Sequence, residues 1–270
     1  MSESLREWDD QVGGFVAPAD LGEYAARYAE HFAIQRHDGI VELRMHTANG
    51  PAVFSLGLKN TWSQVLAMIS ADPANEVLII TGTGDRWIGG IHPPSFGQPV
   101  PSWPADAAYQ HAYLDGLKML ENLVFGVDIP TIGAINGPGI RTELALLCDL
   151  TLCTPETTLG DGNFAAGGQS PGDGMHLVLQ ELVGQKRAAG YLYSGERIDA
   201  QTALRLGLVN EVTENDRLLP RAREIAEEIM KKPRTTRRMT HAIIQRPWRR
   251  RLTEDLGYGL AHEQFAARLI

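Results

Sequence analysis

The chain has 270 residues, of which 43% are hydrophobic and 21% charged, a composition that is typical of a globular protein and excludes a disordered or fibrous one. Its 25 Lys and Arg against 33 Asp and Glu leave a formal charge of −8, which argues against a protein that binds nucleic acid through a basic face. Two cysteines are too few for a disulfide framework. The acidic N-terminus does not resemble a signal peptide, and no apolar run is long enough to span a membrane. We therefore expect a reduced cytoplasmic protein.

The first third of the chain predicts a hairpin followed by the start of an α/β core. Residues 1–33 are polar and are predicted to form an N-terminal extension with a short helix. Strand-like residues lie on both sides of Asp38 and Gly39, a pair that favours a tight hairpin turn. Asn60 is predicted to cap a helix, because apolar residues recur at helical spacing after it: Trp62, Val65, Leu66 and Ile69. A continuous apolar strand is predicted next, over residues 77–81.

The remainder of the chain alternates helices and strands and then becomes helical. A helix is predicted over residues 109–124, with buried strands at 131–135 and 150–153. This alternation indicates parallel strands joined by crossover helices, and from residue 177 onward we expect helices only. The last helices are predicted at residues 217–231, 234–246 and 253–269, and their exposed apolar positions suggest contact with another subunit.

Three glycine-containing loops follow three of the predicted strands, at residues 82–90, 136–139 and 160–174. The carboxyl ends of strands in an α/β sheet are where loops build a site. Glycine lets backbone N–H groups approach a substrate oxygen, and two such groups would stabilise an enolate. For any one of these loops alone, an ordinary turn is the better explanation of the glycines. The glycine patterns that bind nucleotide phosphates are absent.

Several segments resemble the crotonase (enoyl-CoA hydratase/isomerase) superfamily in that family's order. They are Val77–Gly84, Ile129–Gly137, Glu143–Asp149, Pro171–Gly174 and Gly195–Val212. The resemblance covers residues 34–270 and implies an α/β fold of the crotonase type, a ββα superhelix with a helical C-terminal segment. It divides the chain into an extension (1–33), a core (34–212) and C-terminal helices (213–270). It also implies a homotrimer or a hexamer.

Within the superfamily, the chain most resembles β-diketone hydrolases of the oxocamphor hydrolase type, which cleave a carbon–carbon bond. The resemblance is carried by Arg36, Asp38, Gly39, His46 and Thr47, by Asp161 and Gly162, by Pro171–His176, and by Gly259–Glu263. By position it implies that Asp173 and Glu263 serve the site.

The chain also departs from that pattern. Phe164 stands where the family has an active-site histidine, no histidine lies between Asn136 and Glu143, and Phe54 replaces a tryptophan. Asp173 therefore needs another partner, and His176 and His92 are the two candidates.

The comparison with enoyl-CoA hydratases is partial as well. Glu143 matches one of their two catalytic glutamates, but the second falls at Asn163 or Phe164. Gly89 matches one oxyanion-hole donor, and the shortened turn at Gly139 and Ile140 is the candidate for the other.

Each candidate also has a purely structural interpretation. Asp173 lies between glycines, where it can form an Asx turn, and Glu143 can stabilise the first turn of a helix. Glu263 can be a solvated carboxylate on an amphipathic helix. His176 can be a packing residue at the start of a helix.

The function predicted from these residues is hydrolytic carbon–carbon cleavage of a cyclic β-diketone, with an enolate held in an oxyanion hole. The predicted ligand is a small apolar carbonyl compound, and no metal or redox cofactor is expected. The predicted substrate contacts are Phe54, His92, Phe96, Asp161, Asn163 and Phe164. One alternative is a hydratase or isomerase that uses Glu143 on a CoA thioester, and another is a paralogue that has lost catalysis.

Overall fold

The computed structural model describes residues 18–96, 104–167 and 169–267, which form an α/β fold around a six-stranded sheet. The strand order is β1-β2-β3-β4-β5-β8, in which β1 pairs antiparallel with β2 and the other neighbours are parallel. These strands are β1 Phe32–His37, β2 Ile40–Met45, β3 Val77–Thr81, β4 Thr131–Ile135, β5 Leu150–Cys153 and β8 Glu211–Val212. Two short strands, β6 Thr158–Leu159 and β7 Ile198–Asp199, form a separate antiparallel pair.

Helices connect the strands and form most of the second half of the chain. In the described first half they are Leu21–Arg27, Leu56–Ala71, Pro93–Phe96, Ala105–Ala107, Asp115–Glu121 and Glu143–Leu146, with π-helical turns at Ala108–Leu114 and Asn122–Gly126. In the second half they are Asn163–Gly167, Met175–Val183, Gln185–Ser194, Ala200–Leu206, Asn215–Met230, Arg234–Ile244, Arg246–Arg251 and Gly257–Ala267, with a π-helical turn at Leu252–Leu256. None of the described helices is both long and apolar enough to cross a bilayer.

The alternating side chains of β3 explain why its sequence is apolar throughout. Leu78 and Ile80 belong to the larger core cluster, which includes Trp62 of the helix Leu56–Ala71. Val77 and Ile79 belong to the smaller cluster on the other face, formed with the helix Asn215–Met230. Both faces of the strand are covered, so no position tolerates a solvated side chain. The larger cluster extends from Tyr24 near the N-terminus to Leu260. The division into three segments stays a prediction.

The structure confirms most of the predicted core and corrects two details. The hairpin turns at Asp38 and Gly39, which have φ of 49° and 86°, and the three buried strands have the predicted bounds. The helix predicted to start at Asn60 starts at Leu56 instead, where the Ser55 hydroxyl accepts from the Leu58 N–H. Helices are not the only elements after residue 177, since β7 and β8 lie there, and the short strand β6 was not predicted.

Asn136 joins the loops at the carboxyl ends of β3 and β4. Its side chain accepts a hydrogen bond from the Gly82 N–H at 3.1 Å and donates to the Gly84 carbonyl at 2.9 Å. The two loops are therefore held side by side at the edge of the sheet where parallel strands present their carboxyl ends.

Candidate active site

A cavity of about 160 Å³ lies among the loops at this edge of the sheet. Its lining combines apolar and charged side chains. The residues that line it are Phe54, Ile91, Ile140, Arg141, Glu143, Gly160, Asp161, Gly162, Asn163, Asp173, Met175 and Arg197. The structure thus brings together Phe54, Ile140, Glu143, Asp161, Asn163 and Asp173 of the residues predicted from sequence.

Arg141 is the central charged residue of this lining. It lies in the turn between β4 and the helix Glu143–Leu146 with φ of 59°, a conformation that is uncommon for a residue with a side chain. The Trp87 indole donates to its carbonyl at 3.1 Å, which fixes the turn from the core side. The guanidinium carbon stands 5.6 Å from the centre of the Phe54 ring, close enough for a cation–π contact.

Two carboxylates bind the Arg141 guanidinium. Asp173 accepts from Nη1 through its side chain and from Nη2 through its carbonyl, the latter at 3.2 Å. Glu143 forms an ion pair with Nε at 2.7 Å, although the N–H is not aligned for a hydrogen bond. The Glu143 and Arg141 side chains are only 3% and 11% exposed, so this charge pairing occurs away from solvent.

Burial raises the pKa of Glu143 to about 7, because it outweighs the opposing effect of the Arg141 charge. Asp173 adds to the increase through like-charge repulsion. The Glu143 carboxyl therefore titrates near neutral pH, which suits proton transfer in either direction.

Asp161 lies across the cavity in the loop that follows β6. Its Oδ1 accepts from the Asn163 N–H at 2.7 Å, as in an Asx turn at the start of the helix Asn163–Gly167. Burial, followed by repulsion from Asp173, raises the pKa of Asp161 to about 6. Among the described residues it has no ion-pair partner.

Arg197 binds the loops around the cavity to one another. Its guanidinium donates to the carbonyls of Gly160 at 2.7 Å, Gly139 at 2.8 Å and Thr158 at 3.1 Å. These carbonyls come from two loops that are distant in sequence. Arg197 therefore holds the turn after β4 against the loop that carries Asp161.

Glu263 lies behind the cavity wall on the helix Gly257–Ala267. Its Oε1 accepts from Gln169 at 3.1 Å, while its Oε2 is buried without a partner among the described residues. Burial, together with repulsion from Asp173, raises the pKa of Glu263 to about 9. Glu263 is thus a neutral carboxylic acid at pH 7. On the same side of the cluster, burial lowers the pKa of Lys59 to about 8, and its amine donates to the His111 carbonyl at 2.5 Å.

Two of the N–H groups predicted as oxyanion-hole donors make hydrogen bonds within the protein. The Gly89 N–H donates to the Ala52 carbonyl at 2.7 Å, and the Ile140 N–H donates to the Ile88 carbonyl at 3.0 Å. Both groups are therefore engaged within the protein. Ile91 pairs with Phe54 as in a parallel bridge, so its own N–H points away from Phe54 and has no hydrogen-bond partner among the described residues. Because Ile91 lines the cavity, its N–H is a better-placed candidate donor.

Gly139 lies against the backbone of Ile88. A Cβ on Gly139 would come within 2.8 Å of the Ile88 nitrogen and oxygen, so only glycine allows this approach. Its contribution to the site is the carbonyl that accepts from Arg197.

The histidines and Phe164 lie elsewhere. His176 and Phe164 line a neighbouring cavity of about 330 Å³, where Phe164 packs edge to face against Tyr193 with ring centres 5.1 Å apart. Burial lowers the pKa of His176 and favours its neutral form. The His92 ring contacts the Ser95 hydroxyl at 2.9 Å. The Phe96 side chain lies outside the described residues.

Sequence reasoning missed three cations, Arg141, Arg197 and Lys59. Lys59 had a usable signal, because it is the only charged residue in the helix Leu56–Ala71. Arg141 and Arg197 had none, because the Asp173 carboxylate and the loop carbonyls that they bind are far away in sequence, although Glu143 lies only two residues from Arg141. Among the described residues, no three His, Cys, Asp or Glu side chains converge closely enough to hold a metal ion.

Comparison with known proteins places this site in a family context. The family model for enoyl-CoA hydratase/isomerase matches residues 35–263. A putative enoyl-CoA hydratase of Thermus thermophilus is 31% identical over 183 residues, 67% of this chain and 70% of that protein. A crotonyl-CoA hydratase of Syntrophomonas wolfei is 33% identical over 211 residues, which cover 72% of this chain and 74% of that protein.

Solved structures are similar over more of the chain. A β-diketone hydrolase from Anabaena sp. PCC 7120, bound to (S)-3-oxocyclohexyl acetic acid, superposes with a TM-score of 0.85 at 33% identity and covers 91% of this chain and 97% of its own. An enoyl-CoA hydratase/isomerase from Mycobacterium paratuberculosis superposes with a TM-score of 0.80 at 22% identity, covering 88% and 94%, which supports the fold alone.

Proposed function

The chain belongs to the enoyl-CoA hydratase/isomerase family, that is, the crotonase superfamily, and from this premise we propose that it hydrolyses a carbon–carbon bond of a cyclic β-diketone. Similarity to a β-diketone hydrolase over nearly the whole of both chains supports this choice within the family. The observation that carries it is the cavity itself, which is small and is lined by three carboxyl groups and two arginines.

The arrangement of carboxyl groups favours hydrolysis over hydration. Hydration across a double bond needs a free acid and base that share one water molecule. In this site Glu143 is bound to Arg141, and neither Asn163 nor Phe164 supplies the second carboxylate that hydratases have there. A β-diketone instead needs a base for water, a cation or N–H for the carbonyl oxygens, and an acid for the enolate.

In the proposed reaction, a carboxylate on the cavity wall removes a proton from water as the water oxygen bonds to one carbonyl carbon. The tetrahedral adduct collapses, and the bond between that carbon and the carbon between the two carbonyls breaks. The electron pair forms the enolate of the second ketone, whose oxygen accepts a hydrogen bond from the Ile91 N–H. Return of the proton to carbon gives a ketone that carries a carboxylic acid. No metal or redox cofactor takes part in this scheme.

The test is turnover of bicyclic 1,3-diketones by the purified protein, with the keto acid detected by NMR, beside hydration of crotonyl-CoA by the same sample. We expect keto acid from at least one diketone and no loss of the enoyl-CoA. Binding is measured in parallel as ligand-dependent thermal stabilisation. Stabilisation and turnover with acyl-CoA, together with no acid from any diketone, would reject the proposal.

The second candidate function is hydration or isomerisation of a CoA thioester. The observation that favours it is Glu143, whose raised pKa suits an acid/base residue and which matches a catalytic glutamate of that family. Glu143→Gln would abolish this activity while leaving the ion pair of Arg141 with Asp173 in place.

We also propose that the protein is a homotrimer or a hexamer in the cytoplasm. Met239 and Ile243 are 58% and 74% exposed on the helix Arg234–Ile244, which gives this helix an apolar face that another subunit would cover. Both cysteines are buried and free, which fits a reducing compartment. Light scattering coupled to size-exclusion chromatography measures the number of subunits.

A further inference from the structure

The carboxyl groups around the cavity are not equivalent. Glu143, Asp161 and Asp173 line it directly, whereas Glu263 stands behind the wall against Gln169. A base that activates water must reach the substrate, so the choice lies among the first three.

Two of these three are already bound to a cation. Asp173 is held by both terminal nitrogens of Arg141, and Glu143 is paired with Nε of the same guanidinium. Accepting a proton would cost either carboxylate its pairing with a buried arginine, and with a pKa of about 7 only about half of Glu143 is ionised at pH 7. Asp173 and Glu143 are therefore suited to holding Arg141 in place.

Asp161 differs from both of them. It lines the cavity, and its Oδ1 accepts the Asn163 N–H, but its Oδ2 has no hydrogen-bond or ion-pair partner among the described residues. The carboxylate is also fixed in position, because Arg197 holds the adjacent Gly160 carbonyl and Gly160 has φ of 129°. One oxygen is thus anchored while the other can bind water.

The charges around Asp161 suit a base that works near neutral pH. Asp173 and burial disfavour its ionised form, whereas Arg141, Arg197 and the Asn163 N–H favour it. With a pKa of about 6, Asp161 is mostly ionised at pH 7 and still basic enough to take a proton from water.

On the basis of the proposed function, we propose that Asp161 is the catalytic base that activates water for attack on the diketone. In that step the Oδ2 lone pair takes one proton of the water molecule while the water oxygen bonds to the carbonyl carbon. The electrons of the carbonyl π bond move to its oxygen, and the carbon–carbon bond then breaks to give the enolate. The proton on Asp161 is passed to the enolate carbon, which restores the carboxylate and completes the addition of water.

The position of Asp161 explains why the resemblance to the family indicates a substrate contact there and not a catalytic base. The second catalytic carboxylate of hydratases aligns with Asn163 or Phe164, which carry no acid. Two residues earlier, Asp161 reaches the same cavity as Glu143. The loop thus supplies a carboxylate from a different position, and this carboxylate is not paired with Arg141.

The experiment compares the variants D161N, D173N and D38N on a diketone that the parent protein hydrolyses. Asn keeps the oxygen that accepts the Asn163 N–H, so D161N should fold. D38N is the matched control, because Asp38 is exposed in the hairpin turn at the opposite edge of the sheet, and asparagine tolerates its φ of 49°. We expect kcat to fall about 100-fold or more in D161N with KM changed less than threefold, and no change in D38N.

Two further readouts separate catalysis from structure. The acid limb of the kcat profile, with an apparent pKa near 6, should disappear in D161N, and formate should restore activity to D161A in proportion to its concentration. Full activity in D161N, or an acid limb that remains in D161N, would overturn the assignment of Asp161 while the hydrolase function stands. A parent protein that hydrates enoyl-CoA and hydrolyses no diketone would overturn the function itself.

Discussion

Replacement of Arg141 by methionine should destabilise the protein in a strongly pH-dependent manner. The methionine keeps most of the side-chain volume but leaves the Asp173 and Glu143 carboxylates without their buried cation. At an effective dielectric constant of about 20, Coulomb's law gives roughly 6 kcal/mol of attraction for charges 2.7 Å apart. Removing one partner of a buried pair costs about 3–5 kcal/mol after relaxation. At roughly 2–4 °C per kcal/mol, Tm should fall by about 6–20 °C at pH 8.

The sign of the pH dependence follows from proton binding. Arg141 lowers the pKa of Glu143, so its removal raises the folded-state pKa further above the ordinary value of 4.5. The folded variant then binds more protons than the unfolded chain, and its stability falls as pH rises. In the variant, the buried Glu143 can stay neutral by binding a proton. Keeping that proton on the folded protein costs about 1.4 kcal/mol of stability for each pH unit above 4.5, the ordinary pKa of glutamate. The loss of stability should therefore be small near pH 5.5 and largest near pH 8.

The assay is thermal unfolding of the parent protein, Arg141→Met and the double variant Arg141→Met/Asp173→Asn between pH 5 and 8.5. The double variant should recover part of the lost stability, because it removes a buried charge that has no partner. Arg217→Met is the control, since the ion pair of Arg217 with Glu224 is exposed and its loss should change Tm little. A Tm loss that is equal at pH 5.5 and 8, or a double variant less stable than the single one, would refute this account.

Three other substitutions test the remaining features of the site. Glu263→Gln should raise Tm by several degrees at pH 8 and leave it unchanged at pH 4.5. The reason is that Glu263, with a pKa near 9 in the folded protein, lowers stability only above the pKa of 4.5 that it has in the unfolded chain. Thermal unfolding at the two pH values tests this. Arg197→Lys should lower kcat about tenfold with a small change in Tm, because lysine cannot bind the carbonyls of both loops as the guanidinium does. Guanidinium ions should partly restore the activity of Arg197→Ala. Steady-state kinetics with and without guanidinium measure both effects. Gly174→Ala should lower the free energy of unfolding by about 1–3 kcal/mol and should also lower kcat. The φ of Gly174 is 125°, and the new methyl group would lie 2.5 Å from Leu120 and 3.3 Å from the Glu143 side chain. An unchanged free energy of unfolding in denaturant would contradict this.

The sheet was predictable from the sequence because its physical cause is local. A strand covered on both faces needs side chains that are apolar or hydrogen-bonded, and β3, β4 and β5 are therefore apolar except for threonines. The start of the helix Leu56–Ala71 was misplaced because Ser55 and Asn60 are both good capping residues. The two-residue strands β6, β7 and β8 were missed because they are too short to show a period.

The carboxylates of the site were found, but the cations that set their behaviour were not. Asp173 and Glu143 stand out in sequence by their positions beside glycines and at the start of a helix. Arg141 is paired with a carboxylate 32 residues away, and Arg197 with a carbonyl 58 residues away. Such contacts depend on how the loops meet at the edge of the sheet, and no local pattern indicates them.

The distribution of cations divides the work among the acidic residues. One arginine can neutralise two carboxylates at short range, and Arg141 takes Asp173 and Glu143. Asp161 lies farther from that cation, so it keeps an open oxygen and a pKa near neutral, while Glu263 has no cation bound to it and stays protonated. A charged pair, a base and a neutral acid thus arise from four chemically similar groups around one arginine. Removing the cation should therefore change the base: in Arg141→Met, Asp173 is released and should support a slower hydrolysis that persists when Asp161 is replaced by asparagine.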